Sequence, residues 1–196
     1  MGGNFLAIVI GYLAGAIPFG LLLARAAGLG DIRQIGSGNI GATNVLRTGN
    51  KSIAALTLFC DVLKGFLPCL IAVKLWGDAA MLLAGFAAMA GHIFPVWLGF
   101  KGGKGVATAA GVLFAWSWPI ALAALITWVA VFAARRISSL AALSAPVVAL
   151  TGAWFFAPAL LWPVAILTVL VFFTHRANIA RLLAGTEPRS SFSKKP

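Results

Sequence analysis

Nothing limits the fold of this chain more than its long apolar runs, at residues 4–24, 53–75, 79–100, 106–134 and 137–174. A helix crossing a hydrocarbon layer of about 30 Å needs about 20 mostly apolar residues. With no water inside the layer, each backbone N–H and C=O must bond within its own segment, and a helix does this alone. Composition points the same way. Of 196 residues, 61% are hydrophobic and 10% charged, with a mean hydropathy of +1.00. Soluble domains carry about a quarter charged residues, and one core of this size could not hide so much apolar surface. The expectation is an all-α, polytopic transmembrane bundle.

The residues before the first run, Met1, Gly2 and Gly3, lack the basic start of a cleaved signal, so a retained first helix is expected. The longer polar stretches are residues 25–52 and the tail from Arg176. They leave no room for a soluble domain, so residues 1–196 read as one membrane-embedded domain, with a short basic tail at 188–196. The last two runs are too long for one helix each. Trp116-Ser117-Trp118-Pro119 reads as a turn, because proline resists a helix interior. Residues 155–163, with Pro158 and Pro163, read as another. Splitting both runs gives seven spans, and splitting the last alone gives six.

Charge chooses between these counts. The chain has 15 Lys and Arg against 4 Asp and Glu. In a soluble protein that excess suggests nucleic acid, whereas in a membrane protein it marks cytoplasmic loops. No nucleic-acid partner is expected. Basic residues cluster at Arg25, Arg33, Arg47 and Lys51, at Lys101 and Lys104, at Arg135 and Arg136, and in the tail. One side holds all four groups if about seven passages occur, with the N-terminus outside and the C-terminus cytoplasmic. The passage from Val106 to Ala115 covers only about 15 Å at 1.5 Å per residue, so a half-membrane, re-entrant segment is the alternative there. Cys60 and Cys69 match no metal spacing and read as packing residues. Neither a metal nor a cofactor is expected.

Polar sequence gathers in the basic loops. Residues 36–47, Gly-Ser-Gly-Asn-Ile-Gly-Ala-Thr-Asn-Val-Leu-Arg, include glycines that let main-chain N–H groups turn toward an anion. Gly36, Ser37, Gly38, Asn39, Thr43 and Asn44 offer hydrogen bonds, and Arg47 offers a bidentate phosphate fork. An ordinary surface loop has similar composition. Residues 99–108, Gly-Phe-Lys-Gly-Gly-Lys-Gly-Val-Ala-Thr, place Lys101, Gly102, Gly103 and Lys104 ahead of a helix N-terminus that favours anions. The spacing is not that of a nucleotide-binding P-loop, because Gly105 follows Lys104 where Ser or Thr is required. Positive-inside topology alone also explains both lysines.

Asp61 and Lys64, three apart on one helical face, read either as a neutralised structural pair or as a gate or anion contact. His92 and His175 lie near segment ends, where a histidine is most often solvated or capping. His175 shares a face with Asn178, and Glu187 follows, so a catalytic cluster and a helix-terminal network both remain open. Several chemistries are disfavoured. Neither histidine is followed by an acid five residues later, where Trp97 and Ala180 stand, no acidic cluster could hold magnesium, and no Gly-x-Ser-x-Gly elbow occurs.

Together these blocks resemble the acyl-phosphate-dependent glycerol-3-phosphate acyltransferases of bacteria, the PlsY family. Residues 36–47 match its first motif, residues 91–108 its second, and Ser139-Leu140 with residues 175–187 its third. The resemblance implies transfer of a fatty acyl group from acyl phosphate to glycerol 3-phosphate, giving lysophosphatidate in phospholipid synthesis. A soluble acyltransferase would supply the acyl phosphate. By position, it makes Ser37, Arg47, His175 and Asn178 catalytic. Substrate contacts would come from Gly36, Gly38, Asn39, Thr43, Asn44, Lys64, Gly91, Lys101, Gly102, Gly103, Lys104 and Ser139. Asp61 and Glu187 would serve structure. The family often has a second serine where this chain has Ala142. The expected location is the inner membrane, with the active site toward the cytoplasm and the acyl chain among membrane lipid. The rival class is a transporter or channel for a phosphate-bearing anion, against which no internal repeat is visible.

Overall fold

The computed structural model describes residues 2–190. The distal part of the basic tail, residues 191–196, lies outside them. The described residues are helical and contain no strand. The chain forms two compact units, one ending at Trp116 and the other starting at Ser117.

The first unit starts with a broken span, α1 (Gly2–Gly15) and α2 (Phe19–Ala26). Pro18 explains the break, since it has no N–H to bond and its ring would clash with the carbonyl four residues back. The sequence reading took residues 4–24 as one uninterrupted run and did not anticipate it. A short helix, α3 (Ala42–Leu46), lies in the connection to α4 (Lys51–Trp76). The Asn50 side chain caps α4 by accepting from the Ile53 N–H at 3.0 Å. Gly77, at φ 86°, reverses the chain into α5 (Asp78–Ile93). A glycine loop then leads to α6 (Val106–Trp116).

Small residues bring these helices together. Gly11 and Gly15 of α1 press on the backbone of Ala84 and Ala88 of α5, and Gly91 presses on α1 at Tyr12 and Ala16. Gly65 of α4 meets the Thr108 carbonyl, and Gly111 of α6 meets Val62 and Phe66. In lipid, association is driven by such close packing, because apolar contact alone gains nothing over lipid tails. Alternating chain direction brings residues 27–50 and 94–105 to one end of the unit. There Leu98 packs on a core of Leu21, Ala24, Ile32, Ile40, Val45 and Ala54.

The second unit contains α7 (Trp118–Arg135), α8 (Ser138–Phe156), α9 (Leu161–Thr174) and α10 (Arg176–Leu183). Helix α8 contacts both α7 and α9. Trp118, Trp154 and Trp162 are exposed at one end, as interfacial aromatics are. Arg135, Arg136 and Arg176 lie at the other end.

The turns expected at residues 116–119 and 155–163 are present. Ser117 separates α6 from α7, and a 3-10 turn at Pro158–Leu160 separates α8 from α9. Among the described residues, five helical segments have spanning length, or six if Pro158–Thr174 and Arg176–Leu183, bent by 65°, count as one. The expected passage after Lys104 is helix α6, whose 11 residues cover only about 16 Å.

Candidate active site

Each unit gathers its polar side chains at its basic end. In the first unit, the Asp31 carboxylate organises the start of the connection. It caps a 3-10 turn through the Arg33 N–H at 3.0 Å, and it also binds the Arg33 and Arg25 guanidinium groups. The bonds from Arg33 hold its carboxyl far below the usual carboxylate range, and Asp31 in turn raises Arg33.

Asn44, 2% exposed, wires the next layer. Its Nδ2 donates to the Ile32 carbonyl at 2.7 Å. Its Oδ1 accepts from the Ser37 N–H at 3.1 Å, and from Ser37 Oγ and Arg47 Nη1 at 3.4 Å each. Gly36, at φ 55°, lies so close that a Cβ would strike the Arg47 guanidinium and Asn44 Oδ1. The Asn39 side chain accepts from the Gly41 N–H at 2.9 Å, and Gly38 takes φ 68°. Ser37, Thr43 and Arg47 are exposed, whereas Asn44 faces inward. Of the residues predicted here to touch substrate, Asn39 and Asn44 therefore hold the loop together.

The second loop folds back on the end of α5. Gly102 N–H donates to the Ile93 carbonyl and Gly103 N–H to the His92 carbonyl, both at 3.0 Å. The N–H groups of Gly99, Phe100 and Lys101 also bond to carbonyls within residues 95–98. Glycine is required at 102 and 103 by close approach, because a Cβ would strike the His92 carbonyl or its ring. The expected cradle of main-chain N–H groups is thus engaged internally through Gly103. Lys101 is exposed and Lys104 half-buried. Gly91 faces α1, away from the loop.

Deeper in the unit, Lys64 Nζ pairs with Asp61 Oδ1 at 2.7 Å and donates to the Ile17 carbonyl at 2.9 Å. At the Pro18 break the Leu21 N–H bonds Pro18 instead of that carbonyl, which accepts from the Phe19 N–H at 3.0 Å and from Lys64, giving Lys64 a structural use. His92 is 4% exposed and lies 3.0 Å from Thr108 Oγ1. The sequence pattern assigned His92 to a solvated or capping role, and its burial under the loop corrects that reading. Nothing local signalled it, since its partner lies 16 residues away.

In the second unit, Glu187 is the hub. Its Oε1 accepts from Ser139 Oγ at 2.7 Å and Asn178 Nδ2 at 2.5 Å, and its Oε2 pairs with Arg181 Nε at 2.6 Å. Burial raises this carboxyl, but the three bonds and the Arg181 charge outweigh that and hold it below its ordinary value. His175, 2% exposed, joins α9 to α10. Its Nδ1 lies 2.8 Å from the Val171 carbonyl. A carbonyl only accepts, so in the neutral ring Nδ1 carries the proton and Nε2 is the acceptor. The arrangement supplies fixed hydrogen-bonding groups, cations and one basic imidazole nitrogen. No group of three or more metal-ligating side chains occurs among the described residues.

The glycerol-3-phosphate acyltransferase family model matches residues 5–185. A glycerol-3-phosphate acyltransferase of Erythrobacter litoralis is 56% identical over 94% of this chain and 93% of its own length. One from Mesorhizobium japonicum is 57% identical over 94% and 95%. Among solved structures, the glycerol 3-phosphate form of PlsY, an integral membrane glycerol 3-phosphate acyltransferase, superposes with a TM-score of 0.90. It is 41% identical, with 96% of each chain covered. Its lysophosphatidic acid form gives 0.88 at 40% identity, with the same coverage. Agreement this extensive in sequence and fold means that the chain belongs to the glycerol-3-phosphate acyltransferase family.

Proposed function

We propose that this acyltransferase takes its acyl group from acyl phosphate and forms lysophosphatidate and inorganic phosphate. The observation that carries this reading is Asn44 Oδ1 holding the Ser37 hydroxyl and the Arg47 guanidinium together, a neutral donor beside a phosphate-binding cation. Both substrates carry phosphate, and Arg47, Lys104 and Lys101 supply positive charge for it. Acyl phosphate is already an activated mixed anhydride, so the enzyme's main task is positioning.

In the proposed step, the glycerol hydroxyl oxygen attacks the acyl carbonyl carbon. The new ester C–O bond forms, the bond from the acyl carbon to the phosphate oxygen breaks, and phosphate leaves with the electron pair. Either His175 Nε2 or the donor's own phosphate takes the hydroxyl proton. Ser37 hydrogen-bonds a substrate phosphate and carries no acyl group. Asn178, tied to Glu187, holds the start of α10 beside His175. The substrate contacts proposed for Gly36, Gly38, Thr43 and Ser139 belong to the same reading. Membership in this enzyme family favours catalysis over the transport alternative. Positive-inside topology assigns the basic ends to the cytoplasmic side of the inner membrane. There, acyl phosphate made by a soluble acyltransferase can enter, with its chain in lipid.

The test compares donors. Purified protein in detergent, given glycerol 3-phosphate, is expected to make lysophosphatidate from palmitoyl phosphate and none from palmitoyl-CoA. Product from palmitoyl-CoA alone would reject the proposed donor.

A further inference from the structure

The geometry points to a role for His92 that the reaction above does not use. We propose that His92 and Thr108 form a positioning pair that sets where Lys104 stands, and this rests on the reading that Lys104 binds the phosphate of glycerol 3-phosphate.

Three contacts carry the inference. The His92 carbonyl accepts from the Gly103 N–H at 3.0 Å. The His92 ring lies against the same glycine, so closely that a Cβ there would strike Nε2. Its Nδ1 lies 3.0 Å from Oγ1 of Thr108, in the first turn of α6. His92 therefore grips the chain on both sides of Lys104, one residue before it and four residues after. Both members are buried, at 4% for His92 and 0% for Thr108.

Elementary chemistry says why such a brace matters. A lysine is a point charge on a flexible stem, so its position depends on the backbone that holds it. A displacement of about 1 Å in a positioning group can cost up to a hundredfold in rate or affinity. The glycines at 102 and 103 deny the loop side chains of its own for this purpose. Below the pair, Asp61 Oδ1 lies 4.0 Å from His92 Nδ1 and binds Lys64, which in turn holds the Ile17 carbonyl. The brace is thus seated on a buried polar cluster joining α4, α5 and the break in the first span.

A histidine that merely fills space would be replaceable by an apolar ring, and this separates the two roles. His92→Phe, Thr108→Val, the double variant, His92→Asn and Lys104→Met are purified in detergent. Glycerol 3-phosphate is then varied at saturating palmitoyl phosphate, with rates normalised to monodisperse protein. His92→Phe and Thr108→Val are each expected to raise KM for glycerol 3-phosphate about tenfold, the size of one lost hydrogen bond, with a smaller change in kcat. The double variant is expected to be no worse than the weaker single, because both changes cut the same bond. His92→Asn, with a polar atom near the Nδ1 position, is expected to recover part of the loss.

Unchanged KM in His92→Phe and Thr108→Val beside a raised KM in Lys104→Met would overturn the positioning pair and leave the role of Lys104 standing. Unchanged KM in Lys104→Met would overturn both. Multiplied effects in the double variant would also contradict a shared bond. Should His92→Phe not fold, Thr108→Val decides by the same criterion.

Discussion

Glu187 joins Ser139 in α8 to Asn178 and Arg181 in α10, with its side chain 7% exposed. One carboxylate can do this because its two oxygens offer about four acceptor sites. Its folded pKa lies below the ordinary value of 4.5. The stability it contributes is therefore fully present above about pH 4.5 and is lost as pH falls through the lower folded value. Glu187→Gln keeps an acceptor for Ser139 and Asn178 but loses the charge facing Arg181. The variant is expected to unfold about 1 kcal/mol more easily at pH 7, allowing for partial solvent screening. Thermal melts in detergent should show the gap between variant and parent closing as pH drops below 4.5. At this scale the sequence announced residue types better than roles. Asn39 and Asn44 read as substrate contacts because they sit among glycines, yet their amides bond Gly41, Ile32 and Ser37. Those partners lie two to twelve residues away in a loop without a period, so no local pattern could reveal them.

Among the elements, hydrophobic length was readable because lipid imposes it. The apolar runs mark α4, α5 and the long helices of the second unit, and the turns at residues 116–119 and 155–163 follow from proline. The break at Pro18 was missed because its neighbours are as apolar as the helices they separate. Its consequence, Lys64 donating to the Ile17 carbonyl, depends on a contact 47 residues apart. Close helix packing through glycine was also hidden, since glycine is common throughout this chain. Gly15 touches the Ala88 backbone, which cannot yield as a flexible side chain could. Gly15→Leu is expected to cost about 3 kcal/mol or more through overpacking, seen as a lower melting temperature and less monodisperse protein. Gly152 gives the contrast. A Cβ there would rest at an ordinary 3.5 Å from Ile120. Gly152→Ala is expected to be neutral or to stabilise by up to about 1 kcal/mol, the helix-propensity gain. A melt in which both variants behave alike would contradict the backbone-contact argument.

For the molecule as a whole, each unit is apolar along its flanks and basic and hydrogen-bonded at one end. Lipid and phosphate chemistry thus meet along the same helices. The central claim is direct transfer, in which fixed groups orient two phosphate-bearing substrates and no residue carries the acyl group. The Ser37 N–H and hydroxyl both meet Asn44, whose amide oxygen is no base for activating a nucleophile. Acceptor-dependent phosphate release tests this most directly. Enzyme at substrate-level concentration is mixed with palmitoyl phosphate, first without and then with glycerol 3-phosphate. Direct transfer predicts no burst of phosphate until the acceptor arrives, followed by phosphate and lysophosphatidate in equal amounts. A stoichiometric burst without acceptor, with a palmitoyl group trapped on Ser37 by quenching and mass spectrometry, would contradict it.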